Sequence, residues 1–83
     1  KMSRPIGDGA ERYRFHAEGF EEEIDGAARQ YDWRMVGDMA AKRDALFLRT
    51  GTVLHAVYLG EIEDKAARAA LVARIRALWQ AAK

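Results

Sequence analysis

The chain has 83 residues, of which 49% are hydrophobic and 33% charged, with a formal net charge of +1 and no cysteine. This composition excludes a disordered or low-complexity chain, and the missing thiols exclude disulfides, thiolate metal sites and cysteine chemistry together. One domain is expected, burying only about 60–65% of its unfolded surface, so self-association is a natural source of further stability.

Alanine and arginine are used heavily, asparagine is absent and Ser3 is the only serine, a bias that suits a bacterial or phage gene. The most apolar run, "TVLHAVYL", is far shorter than the roughly 20 residues a membrane span needs, so a soluble, cytoplasmic protein is expected. The charge is polarised along the chain. Residues 1–41 carry six basic and nine acidic groups, whereas residues 42–83 carry eight and four.

Residues 1–9, "KMSRPIGDG", read as a flexible N-terminal arm, with Asp8 and Glu11 as a capping-box pattern at its end. From there the apolar positions run Ala10, Tyr13, Ala17, Phe20, Ile24, Ala27 and Tyr31, in alternating steps of three and four. That spacing predicts a helix over about 10–31. A competing strand pattern in "RYRFHAE" lasts only a few residues. Gly19 and Gly26 lie off the stripe and each costs a helix about 1 kcal/mol relative to alanine.

The phase breaks at "QYDWR", where Asp32 can cap a second helix over about 33–59. Its stripe is Val36, Met39/Ala40, Leu46/Phe47, Val53/Leu54 and Val57, with Arg43 and Thr50 as polar members. Gly51 could instead end a helix or seed a hairpin, because Val53 to Leu59 is rich in strand formers. The helical phase passes through Gly51 unshifted, which favours one long helix kinked there. Gly60 stops it, and Asp64 caps a third helix over about 64–82. The expected fold is all-α, a three-helix up-down-up bundle that self-associates.

On the third helix Leu71, Val72, Ile75, Leu78 and Trp79 share one arc. Arg68 falls inside it, Lys65, Arg76 and Lys83 line one edge, and Arg74 lies off the other. The back carries Ala66, Ala69, Ala70, Ala73, Ala77 and Ala81, an alanine face suited to a homodimer seam.

No catalytic, cofactor or metal signature is found. Neither His16 nor His55 has the glutamate three residues earlier that a di-iron bundle uses, and both read as packed or exposed without function. Ser3, Thr50 and Thr52 have no evident base beside them, and no phosphate loop is present. A DNA-reading helix-turn-helix drawn around Gly51 lacks base-reading side chains. Arg43 and Arg68 interrupt apolar stripes, so each must be paired if buried or snorkel outward.

The expected function is therefore non-enzymatic: a protein-binding adaptor, regulator or inhibitor acting through helix faces and a charge-polarised surface. Its candidate contact residues are the acids Glu18, Glu21, Glu22 and Asp25, with Trp33 and Met35 as exposed apolar anchors. The alternative is a nucleic-acid-associated protein using Lys65, Arg68, Arg74 and Arg76, with Trp79 stacking on bases.

Overall fold

The computed structural model describes residues 13–82. The expected arm at 1–9 and its Asp8–Glu11 cap lie outside them. In chain order the elements are β1 (Tyr13–His16), β2 (Gly19–Ile24), β3 (Ala27–Asp32), a 3-10 turn (Trp33–Met35), β4 (Val36–Lys42), β5 (Ala45–Thr50), β6 (Val53–Tyr58) and helix α1 (Lys65–Ala81). They form two three-stranded antiparallel meanders, β1-β2-β3 and β4-β5-β6, followed by the helix. The three-helix bundle is thus overturned. Where they are described, the expected helices over 10–31 and 33–59 are strands joined by tight turns, with one 3-10 turn at Trp33–Met35, and Gly51 is a turn residue between β5 and β6 rather than a helix kink.

Strands separated by two-residue turns reproduce the helical spacing. Phe20 to Ile24 is a step of four along β2. Ile24 to Ala27 is a step of three across the Asp25–Gly26 turn, where the two residues pair, and Ala27 to Tyr31 is four along β3. Leu46, Thr50, Val53 and Val57 repeat this around the Gly51–Thr52 turn. A meander of this geometry therefore carries a 4-3-4 stripe on one face, as a heptad does.

The turns supply what a helix would not tolerate. Asp25 and Gly26 both have positive φ (52° and 81°), the geometry of the tight hairpin turns that Asp-Gly favours. Gly19 is required for a different reason. It pairs with Asp32 at the end of β2, and a Cβ there would run into the Tyr31 carbonyl oxygen.

The inner faces of both sheets and one face of α1 enclose a single core. Sheet one contributes Tyr13 and Phe20, the 3-10 turn Trp33, and the second sheet Val36, Met39, Leu46, Leu48 and Val57. Leu59, Ile75 and Trp79 complete it. Trp33 is fully buried; its indole N–H donates to the His16 carbonyl at 2.7 Å, and its ring stacks on Phe15. Asp32 is the N-cap of the 3-10 turn that follows it, accepting from the Arg34 backbone N–H at 2.8 Å. The Arg34 side-chain hydrogen bond, reinforced by that backbone bond, holds the Asp32 carboxyl below its ordinary value. This cap is present above the usual carboxylate range and is lost as pH falls through the lowered value.

The last element is helical, with Asp64 at its N-cap accepting from the Ala66 N–H at 3.0 Å. Trp79 fastens it to the second sheet, its indole N–H donating to the Val36 carbonyl at 2.9 Å. Among the described residues, no helix is long and apolar enough to cross a membrane.

Gly19→Ala is expected to destabilise the fold by about 1–3 kcal/mol, the usual cost of forcing atoms into a packed site. Gly37→Ala, where an added Cβ meets nothing within 4 Å, is the control and should change stability by less than about 0.5 kcal/mol. Equal effects in urea unfolding would refute the close-approach account.

Candidate binding site

Helix α1 spends one face on the core, with Ile75 and Trp79 buried. Its flank turns toward the β4–β5 hairpin and leaves a groove of about 530 Å³ between them. Along the helix the groove is lined by Lys65, Arg68, Ala69, Val72, Ala73 and Arg76, and opposite by Ala41, Arg43, Ala45 and Leu59. Its volume lies in the range of ligand pockets, about 300–1,000 Å³, which likewise combine apolar walls with a few polar groups.

The floor is apolar, and every polar lining side chain is a cation. The acid–base contacts among the described residues involve Arg14, His16, Arg34, Arg49 and His55. Arg43, Lys65, Arg68 and Arg76 have no carboxylate in ion-pairing reach among those residues. Four like charges around an apolar surface focus a positive potential there.

Backbone hydrogen bonds hold the groove's shape. The Leu59 N–H donates to the Asp44 carbonyl of the hairpin turn at 2.6 Å, and the Ile62 N–H donates to the Leu59 carbonyl at 3.0 Å. Arg68 closes the chain: its Nε and Nη2 both donate to the Ile62 carbonyl, at 3.0 and 2.8 Å. Arg43 sits in the hairpin turn with φ of 49°, a left-handed conformation that costs a side-chain-bearing residue about 1–2 kcal/mol. Such outliers concentrate at ligand clamps.

The structure divides the residues singled out from the sequence. Lys65, Arg68 and Arg76 meet in the groove, while Arg74 is exposed and outside its lining. Trp79 is buried and committed to Val36, so it offers no stacking surface. Trp33, expected as an exposed anchor, is in the core. The acidic run is dispersed by strand alternation. Glu22 points inward, whereas Glu21 lies on the outer face, bonded to Arg14 and Gln30 at 3.2 and 3.0 Å. Asp25 is an exposed turn residue. Glu18 and Met35 border a smaller depression of about 320 Å³ with His16, Gln30, Tyr31 and Asp32. The six alanines on the back of α1 are all exposed, and two of them, Ala69 and Ala73, belong to the groove.

One cluster was invisible in the sequence. His55 Nε2 lies 2.8 Å from Thr50 Oγ1, so the threonine does have a base beside it. His55 Nδ1 lies 3.2 Å from Glu22 Oε1, too poorly aligned for a hydrogen bond, and stays buried without one. Glu22 Oε2 accepts from the Tyr13 hydroxyl at 2.7 Å. The order hydroxyl, imidazole, carboxylate is that of a nucleophilic triad. However, Thr50 and His55 are only 6% and 1% exposed, and none of the three lines the groove or the smaller depression. What the cluster does is join β2 to β5 and β6. Among the described residues it is the one acid–base contact between the two sheets. No three metal-ligating side chains converge among those residues.

No known protein family, curated protein or solved structure matches the chain.

Two outcomes follow from this geometry. Arg43→Gly removes the left-handed strain at a solvated turn and should leave stability unchanged or raise it by up to about 1 kcal/mol; a lowered melting temperature would contradict it. Glu22→Ala and His55→Ala should each destabilise the protein, and the double variant should cost less than their sum. The coupling expected for residues in contact is about 0.5–3 kcal/mol, and strict additivity in urea unfolding would show that the contact carries no energy.

Proposed function

We propose that the chain acts by binding rather than catalysis, as an adaptor or regulator whose α1 groove captures an acidic, apolar-edged segment of another protein. The observation that carries this reading is the set of four cations, Arg43, Lys65, Arg68 and Arg76, around an apolar floor, with no acidic partner among the described residues. Cations left in this state are satisfied by water until an anion displaces it, and the apolar floor rewards a ligand that brings hydrocarbon along with its charge. A cysteine-free chain suits a reducing compartment, and we place this activity in the cytoplasm.

The nucleic-acid reading has weaker support. It relied on Trp79 for stacking, and that ring is buried. Self-association through the alanine face of α1 remains a second proposal, favoured by the exposure of all six alanines. Because Ala69 and Ala73 belong to both surfaces, a dimer formed there would compete with a ligand in the groove.

The test is fluorescence polarisation with labelled peptides carrying Asp, Glu and Leu, against the same peptides with Asn and Gln. Binding to the acidic set should weaken with added salt. It should also fall at least tenfold, about 1.4 kcal/mol, in the Arg43→Glu/Arg76→Glu double variant, with circular dichroism unchanged. Equal binding of acidic and amidated peptides would defeat the proposal. Steep salt-dependent binding of DNA or RNA, flattened by Arg74→Ala, would favour the alternative.

A further inference from the structure

Arg68 is unlike the other three cations of the groove. One edge of its guanidinium, Nε with Nη2, is spent on the Ile62 carbonyl. The other edge, Nη1 with the second N–H of Nη2, has no hydrogen-bond partner among the described residues. That end-on pair of parallel donors matches the two oxygens of a carboxylate. The loop carbonyl already holds the plane of the group, so little side-chain freedom remains to be lost when an anion docks.

Spacing along α1 then constrains the ligand. Arg68 and Arg76 are about 12 Å apart along the helix axis at 1.5 Å per residue. Between them the wall is Ala69, Val72 and Ala73. Four residues of extended chain span about 13 Å, and their first, third and fifth side chains face the same way. We infer that the groove reads an extended segment with two acidic residues four positions apart and an apolar residue midway, and that Arg68 orients one of the two carboxylates. The apolar residue lies over Val72 and the flanking alanines, whose small side chains allow close approach. Lys65 adds charge one turn before Arg68, and Arg43 adds it from the hairpin opposite. This inference rests on the groove being a protein-binding site, and adds to it the pattern that is bound.

Two peptides of identical composition test it on the unaltered protein. One carries Asp-Gln-Leu-Gln-Glu within a neutral frame, and the other has the two acids adjacent and the leucine at the end. The patterned peptide should bind at least tenfold more tightly by fluorescence polarisation. Arg68→Lys, which retains the charge but not the fork, should erase most of that preference while circular dichroism shows an intact fold. If both peptides bind equally, and both are lost in Arg43→Glu/Arg76→Glu, the pattern is overturned while the groove keeps its function. If neither binds at millimolar concentration, both readings fall. A tenfold preference that survives in Arg68→Lys overturns the role given to Arg68.

Discussion

A sheet with one apolar face must bury that face against another element, so the two three-stranded sheets of this protein are satisfied together. Phe20, Trp33, Leu46, Leu48, Val57 and Ile75 are buried against one another from three different layers. The contact is mostly dispersive and apolar, yet it closes over one polar cluster, Tyr13, Glu22, His55 and Thr50. Buried polar groups of this kind are costly when mispaired. They therefore constrain how the sheets face each other, because a one-residue slip in β2 or β6 would turn Glu22 or His55 to the opposite face. Trp79 and its bond to Val36 extend the same closure to the helix.

The groove is a consequence of that closure. Helix α1 can present only one arc to the core. Once Ile75 and Trp79 occupy it, the flank bearing Lys65, Arg68 and Arg76 is left beside the β4–β5 hairpin. The hydrogen bonds through Asp44, Leu59, Ile62 and Arg68 link the helix wall of the groove to its hairpin wall. The positive φ of Arg43 belongs to the same picture. Glycine or asparagine would serve that turn at lower cost, and arginine there places a charge at the rim.

The sequence was misleading in a specific way. Steps of three and four are shared by a heptad helix and by strands joined through two-residue turns. The stripe through Phe20, Ile24, Ala27 and Tyr31 therefore could not separate them. Local chemistry pointed to the correct side: Asp25-Gly26 is a hairpin dipeptide, Gly19 and Gly26 are poor helix residues, and β-branched and aromatic residues crowd Val53 to Leu59. The glycine and strand-former cues are outweighed by the length of the false period, which also hides the Asp25-Gly26 turn within its stripe. The Glu22–His55 contact had no local signal, since its partners belong to different sheets and meet only when those sheets pack.

From the sequence alone came a globular composition, the Asp64-capped amphipathic helix with its alanine back, and a basic C-terminal half opposed to an acidic N-terminal half. These depend on residue type and short-range spacing, which a linear chain displays directly. The tertiary structure alone decided that the rest is sheet, that Trp33 and Trp79 are core rather than contact residues, and that Arg43 joins Arg68 and Arg76 around one groove. Pairing partners in a meander, and the exposed flank of a helix docked on it, are set by long-range burial, which no window along the chain contains.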